Sequence, residues 1–461
     1  MNRLPAYHAL PCWAQTLVCS LEGARLSRDR YSRDFMKLLA ACEARTFARE
    51  EEICAERDRR LRDFLRQAVR CTPYYSGHGS EYGGALEAVQ TLPDLAQFPL
   101  LNKAEVQSGD FASRGVARRQ RRRAHTSGTT GGGLQFAVTR EAQWQQWAVW
   151  WRYRRWHGID LDTWCGYFGG RSVAATEQRR PPFWRINFPG RQILFSAYHL
   201  SPANLRYYVE ALRRYRPPWL HGYPSLLALV AAYICDTNLD LGYQVRWITT
   251  GAENLLAGQR RLLEKAFQVT PRQHYGMAEG VANFSECELG HLHVDEDFAA
   301  VEFLPTGNGS LCRVVGTNFS NPAFPLLRYD TGDLARIHPH EVCACGRPGR
   351  LVAQVDGREE DYVVLGNGAR LGRMDHVFKD LFNIREAQIY QRQAGEITVR
   401  VVRGRNYEEA DERKLRHELG MRVGGQAEVG IEYWDSLPRT AAGKLRLVVS
   451  EVPGGKLQFA A

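Results

Sequence analysis

Between residues 164 and 267 short apolar runs alternate with helix-like stretches. Residues 164–170 (WCGYFGG), 191–200 (RQILFSAYHL), 217–223 (PPWLHGY) and 245–252 (VRWITTGA) read as strands. Residues 203–215, 226–236 and 255–267 between and after them carry apolar side chains at helical spacing. Strand, helix, strand repeated in this way predicts an α/β fold built on a largely parallel sheet. From 298 to 365 the pattern becomes β-rich (AAVEFL, CRVVGT, GRLVAQVDG, DYVVLG). The last hundred residues carry a helix near Asp375–Phe382, two alternating strands, a charged helix over Glu408–Leu419 and a final strand, which is a small α+β module. Upstream, helical spacing over 30–72 is followed by a loop-like stretch, TPYYSGHGSEYGG.

A chain of 461 residues exceeds one ordinary hydrophobic core, so at least two domains are expected. The boundaries read as 1–360, with a β-rich subdomain about 298–360, and 361–461. At 44% apolar and 24% charged the composition excludes a disordered or collagen-like chain. The longest apolar run, Leu226–Cys235, is too short to span a bilayer. The first residues lack the apolar core of a signal peptide, so a cytoplasmic protein with reduced thiols is expected. The net charge of +10 calls for an anionic partner without choosing among nucleic acid, membrane surface and phosphorylated small molecule.

The densest local signal is His125-Thr-Ser-Gly-Thr-Thr-Gly-Gly-Gly133. Glycines let backbone N–H groups converge and hydroxyls add donors, which makes a nest for phosphate oxygens. It lacks the lysine of the common P-loop. The arginine run Arg118–Arg123 just before it is a nucleic-acid patch, a field that draws a nucleotide inward, or a solvated charge run. No aromatic interrupts it, which weighs against single-strand binding. Asp333 follows a glycine turn, where a carboxylate can accept two ribose hydroxyls. Glu279 offers oxygen to a hard cation such as Mg²⁺. Each acid taken alone is equally a turn former. Cys287, His293, Cys343 and Cys345 (with His291 as an alternative to His293) have the donor set of a closed zinc site, or are thiols in turns. The tryptophans at 144, 147, 150, 151 and 156 are expected to serve packing.

The order of these motifs decides among the readings. The hydroxyl/glycine loop, Gly251-Ala-Glu253, Tyr275-Gly276-Met277-Ala-Glu279, Arg328-Tyr-Asp-Thr-Gly-Asp333, Gly357-Arg358 and Arg439-Thr-Ala-Ala-Gly-Lys444 resemble the motif series of the adenylate-forming superfamily. The PYY turn, LPDLAQFPLLNK, AYHLS and HGYPS resemble its phenylacetate–CoA ligase and CapK-like branch. The resemblance implies ATP-dependent activation of a carboxylic acid, aromatic by preference, to an acyl-adenylate with release of pyrophosphate. It implies ATP, Mg²⁺ and CoA as partners, with an amine or carrier protein as the alternative acceptor, and a structural Zn²⁺ on the cysteine/histidine set.

It assigns Thr126, Ser127, Gly128, Thr129, Thr130 and Gly131 to the β- and γ-phosphates, Gly251, Ala252, Glu253 and Tyr275 to the adenine, and Gly276 and Met277 to the nucleotide site. Glu279 falls to magnesium, Asp333 to the ribose, Arg358 to a second ribose or phosphate contact, and Lys444 to the bridge between substrate carboxylate and α-phosphate. Asp361 is the implied hinge, and Tyr167, Phe168, Ala197, Tyr198, His221 and Tyr223 are the implied walls of the acid pocket. Two departures stand out: the loop ends in Gly-Gly-Gly where relatives carry Gly-Lys-Pro, and the hinge reads Gly-Arg-Glu-Glu-Asp. The rival readings are a nucleic-acid-binding protein using the arginine run and a non-catalytic nucleotide-binding relative.

Overall fold

A computed structural model describes the chain except residues 1–3, 84, 85, 87, 126–133, 172, 176, 202, 308, 309, 341, 359–362, 367–369, 372, 373, 379, 380, 382, 424–426, 441–444 and 453–461. Strands β1 (Arg122–His125) and β2 (Gln135–Val138) form an antiparallel hairpin. The next twelve build one sheet. They are β3 (Cys165–Gly169), β4 (Trp184–Asn187), β5 (Gln192–Ser196), β6 (Trp219–Gly222), β7 (Trp247–Thr250) and β8 (Arg272–Gly276). Then come β9 (Asn283–Glu286), β10 (Leu292–Val294), β11 (Ala300–Pro305), β12 (Leu311–Thr317), β13 (Tyr329–Ile337) and β14 (Leu351–Arg358). Their order across the sheet is β11-β12-β13-β14-β10-β9-β8-β7-β6-β3-β5-β4.

The sheet has two halves. Strands β5, β3, β6, β7 and β8 run parallel, because helices Leu205–Tyr215, Pro224–Thr237 and Ala257–Phe267 return the chain between strands. From β8 onward every pairing is antiparallel, so the β-rich stretch continues the same sheet. Beyond it a short hairpin, β15 (Val363–Val364) with β16 (Arg370–Leu371), precedes a separate four-stranded sheet. That sheet holds β17 (Ile384–Gln391), β18 (Glu396–Arg403), β19 (Glu428–Tyr433) and β20 (Val448–Ser450), with helix Glu409–Val423 closing its core through Leu415 and Leu419.

Two local readings change. The stretch after Cys71 is two short helical turns, Pro73–Gly77 and Gly79–Tyr82, because Pro73 starts a turn whose N–H would be unpaired in any case. The helix expected near Asp375 is a 3₁₀ turn, Met374–Phe378.

The N-terminal helices lie against the sheet through a buried charge network. Arg152, on helix Arg140–Trp156, donates to Asp295 at 2.8 Å and Asp297 at 2.8 Å, and Arg45 donates to Asp297 at 2.8 Å. Arg57 donates to Glu296 at 2.9 Å. Burial opposes the ionised form of Asp297, yet the neighbouring guanidiniums hold its carboxyl well below the usual range. The basic run is partly consumed in the same way. Arg121 caps the carbonyls of Ser113 and Val116, and Arg122 pairs with Asp29. Its arginines are therefore not a uniform free patch for nucleic acid.

Candidate functional site

A cleft of about 930 Å³ opens above the C-terminal ends of the parallel strands and is walled by the β1–β2 hairpin, helix Arg140–Trp156 and the antiparallel half of the sheet. That is where an open α/β sheet presents loops rather than packed side chains. Its volume suits a ligand of several rings.

Strand β13 supplies Asp333 through a bulge. Register slips where Val315 faces Asp330 and Arg313 faces Leu334, so extra residues crowd into β13 there. Gly332 takes a φ of +71°, which favours glycine, and its N–H bonds Asp330 at 3.1 Å. The Asp333 N–H bonds Thr331 Oγ1 at 3.0 Å, so the backbone is held independently of the side chain. The carboxylate then accepts the Tyr275 hydroxyl at 2.6 Å, across from the end of β8. Tyr275 is itself fixed by stacking on Phe284, ring centroids 4.7 Å apart.

Glu279 sits half-buried in the turn after β8. Gln146 donates to the Met277 carbonyl at 2.9 Å and Asn318 to the Glu279 carbonyl at 3.1 Å, so this turn is tied to two neighbouring elements. In the loop after β7, Ala252 adopts a left-handed φ of +68°, a conformation that costs a side-chain-bearing residue about 1 kcal/mol. The strain aims Glu253 towards the C-terminal module. Its carboxylate accepts the Leu445 N–H at 2.9 Å and the Ser225 N–H at 3.3 Å. Burial raises this carboxyl above its ordinary value, with Arg439 the leading opposing charge. Arg439 also donates to Ser225 Oγ at 2.9 Å and pairs with Glu386, while Arg385 reaches Asp236. Leu445, Arg446 and Leu447 of the C-terminal module thereby enter the cleft wall.

Gly251, Ala252, Glu253, Tyr275, Gly276, Met277, Glu279 and Asp333 thus line one cleft, together with Tyr167, His221 and Tyr223. The Arg358 backbone pairs with Asp333 across β13 and β14. Thr126, Ser127, Gly128, Thr129, Thr130, Gly131, Asp361 and Lys444 lie outside the described residues. Three expected wall residues are elsewhere. Strand β3 alternates faces, so Cys165 and Tyr167 look into the cleft while Phe168 stacks on Phe195 in the core behind it, at 4.4 Å. Ala197 packs in the same core, and Tyr198 turns outward to solvent. The sequence reading also missed Trp147, Trp150, Trp151 and Arg154, which form one cleft-facing stripe of helix Arg140–Trp156. Their spacing of three, four and seven from Trp147 was the available signal.

The cysteine/histidine set converges away from the cleft. Cys287, His293, Cys343 and Cys345 bring their ligand atoms within 4.8 Å of one another. Cys287 and Cys343 sulfurs lie 3.8 Å apart, and Cys345 Sγ lies 3.4 Å from His293 Nε2. Tetrahedral zinc with Zn–S near 2.3 Å and Zn–N near 2.0 Å requires edges of about 3.5 to 3.8 Å. His293 Nδ1 meets the Pro348 carbonyl at 2.9 Å, which leaves Nε2 facing the sulfurs. His291, the alternative ligand, sits beside the set with Nδ1 3.1 Å from Cys343 Sγ.

Comparison with known proteins follows the same lines. Residues 365–451 match the family model of the CapK C-terminal domain. Protein CapK of Staphylococcus aureus is 23% identical over 458 residues, covering 97% of this chain and 99% of that protein. The phenylacetate–coenzyme A ligase of Pseudomonas putida is 25% identical over 337 residues, 66% of this chain and 70% of that one. The chain is thus similar to the CapK and phenylacetate–CoA ligase branch of the adenylate-forming superfamily. The fold agrees: 2-hydroxyisobutyryl-CoA ligase in its post-adenylation state superposes with a TM-score of 0.68 at 18% identity, over 88% of this chain and 91% of that one. Among the described residues no helix is long and apolar enough to cross a membrane.

Proposed function

We infer that this chain is a member of the adenylate-forming superfamily that activates a carboxylic acid with ATP and passes the acyl group to CoA. The observation that carries the reading is the meeting, in one cleft, of the Tyr275–Asp333 pair, the Glu279 turn and the 445–447 segment of the C-terminal module. In this reading Asp333 accepts the ribose hydroxyls, with Tyr275 orienting it. The loop 126–133 cradles the β- and γ-phosphates. Glu279 holds Mg²⁺, which supplies positive charge to the phosphates. A substrate carboxylate oxygen attacks the α-phosphorus, the bond to the β-phosphate breaks, and pyrophosphate leaves. Lys444 neutralises the charge that builds between carboxylate and α-phosphate. In the second step the CoA thiolate attacks the acyl carbon and AMP departs.

The domain division belongs to the same proposal: residues 1–360 bind the nucleotide and acid, and residues 361–461 move about Asp361. The contacts of Glu253, Ser225 and Asp236 with Leu445, Arg439 and Arg385 support an arrangement suited to the first half-reaction. A second comparison points the same way. The 2-hydroxyisobutyryl-CoA ligase in its thioesterification state superposes with a TM-score of only 0.53, against 0.68 after adenylation.

The test is pyrophosphate release from ATP with individual acids, each run with and without CoA. Acid-dependent release followed by thioester formation bears the reading out. Release that yields product only with an amine or carrier protein replaces CoA as the acceptor, and no release from a folded, ATP-binding protein rejects it.

The four-residue set supports a structural zinc. Purified protein is expected to hold about one zinc per chain. Stripping it with a strong chelator, or Cys343→Ser, should lower thermal stability by several degrees while leaving the ATP dissociation constant of the surviving folded protein within about threefold. Metal analysis with a thermal-shift assay checks this. Full stability without zinc would return the set to ordinary packing.

A further inference from the structure

Helix Arg140–Trp156 carries three arginines near its C-terminal end with different electrostatic surroundings. Arg152 is neutralised by Asp295 and Asp297, and Arg155 pairs with Glu43 and Asp160. Arg154 faces the cleft and is only 5% exposed. Among the described residues no carboxylate pairs with it. Its guanidinium carbon lies 4.8 Å from the Trp151 ring centre, 5.2 Å from Trp219 and 5.6 Å from Trp147. Ring faces stabilise a cation, but by less than burying an uncompensated charge costs.

Two further guanidiniums line the same cleft. Arg30 lies 3.6 Å over the Trp147 ring and Arg171 5.0 Å over the Tyr167 ring, again without a paired carboxylate among the described residues. The acidic side chains on the described wall are Glu253, Glu279 and Asp333. Two of the three lining histidines, His221 and His274, add no positive charge: burial, reinforced by Arg154, drives His221 far below its ordinary value and His274 down to about 3.

The positive group also lies at a different depth from the nucleotide residues. Strands β3, β6 and β7 are parallel and in register, Cys165 beside Trp219 beside Trp247 at one end and Phe168 beside Gly222 beside Thr250 at the other. Arg154 sits over Trp219, whereas the Gly251–Glu253 loop follows Thr250. Three residues of strand separate those levels by about 10 Å. An activated carboxylate has to lie at the nucleotide level, so Arg154 is out of its reach.

We propose that the acid substrate is a dicarboxylate, one carboxylate being activated while the other, at the far end of an apolar or aromatic spacer, is bound by Arg154 at the tryptophan-lined floor of the cleft. The inference rests on the adenylating reading and names the class of acid it uses. Arg154 is then a specificity-determining residue, with Arg30 and Arg171 adding attraction for the dianion from the cleft wall.

The experiment uses matched acids with and without the distal carboxylate: benzoate and terephthalate, phenylacetate and 4-carboxyphenylacetate, cinnamate and 4-carboxycinnamate. Binding is followed by tryptophan fluorescence, because Trp147, Trp150, Trp151 and Trp219 line the floor. Pyrophosphate release is measured in parallel, for wild type, Arg154→Met and Arg154→Lys. At least one diacid should bind about 10- to 100-fold more tightly than its monoacid partner, the range for a charged hydrogen-bonded contact. Arg154→Met should abolish that ratio while leaving monoacid binding within about threefold, and Arg154→Lys should restore part of it. Equal or weaker diacid binding throughout, or an Arg154→Met loss shared by both partners, overturns the inference. Monoacid-dependent pyrophosphate release without diacid preference leaves adenylation standing and removes only the dicarboxylate. Arg154-dependent diacid binding without release by any acid keeps the anion site and removes the catalytic reading.

Discussion

Lys444→Ala is expected to slow acid-dependent pyrophosphate release by about 10²- to 10³-fold, the usual cost of removing one preorganised charge-stabilising donor. The ATP dissociation constant should stay within about threefold. The Leu445 N–H is anchored on Glu253 at 2.9 Å, and Leu445, Arg446 and Leu447 line the cleft, so this segment of the C-terminal module is tied to the rim at which the acid and α-phosphate meet in the proposed mechanism. A cation that acts only as charge builds between the reactants lowers the barrier without adding to ground-state binding. The loss should therefore appear in kcat rather than in the KM for ATP. Supplying pre-formed acyl-adenylate separates the half-reactions: transfer to CoA by Lys444→Ala should run near the wild-type rate. Equal slowing of both halves, or unchanged pyrophosphate release, would remove Lys444 from the first step.

Much of this site was legible because its residues sit where local chemistry is strict. Gly332 must take a positive φ, and the bulge it permits is what sends Asp333 towards Tyr275, fifty-eight positions earlier in the chain. The cysteine/histidine set was legible from donor type, and geometry then separated His293 from His291 because only His293 has its Nδ1 engaged by a backbone carbonyl and its Nε2 turned to the sulfurs. The parallel half of the sheet followed from alternating strands and helices. Its fusion with the antiparallel half did not, since strand pairing between β8 and β9 depends on contacts that no local pattern encodes. The expected walls of the acid pocket were the least legible part. Phe168 and Tyr167 are adjacent in sequence and opposite in space, so a motif position without strand phase assigns both to the same wall. Trp147, Trp150 and Trp151 read as packing because tryptophan serves equally in a core and on a ligand surface. Their shared face becomes meaningful only beside Trp219 and His221, which belong to another element.

Asp333→Ala should raise the dissociation constant for ATP by about 10²-fold, since two hydroxyl hydrogen bonds to a charged acceptor are worth about 1.5 kcal/mol or more each. The fold should survive, because the bulge is held by the Gly332 N–H on the Asp330 carboxylate and the Asp333 N–H on the Thr331 hydroxyl, which the substitution leaves in place. Asp333→Asn keeps the shape and loses the charge, and should fall between wild type and Asp333→Ala. Tyr275→Phe removes the hydroxyl 2.6 Å from the carboxylate and should weaken ATP about three- to tenfold if its part is to orient Asp333. That role predicts strong coupling. In the Asp333→Ala background the further change Tyr275→Phe should have almost no effect, because there is no carboxylate left to orient. Calorimetric titration of ATP into the four proteins measures all sides of the cycle. Additive losses would mean that Tyr275 contacts the nucleotide independently of Asp333. Wild-type ATP affinity in Asp333→Ala would instead place the ribose elsewhere in the cleft and leave the Tyr275–Asp333 pair as a structural clasp between β8 and β13.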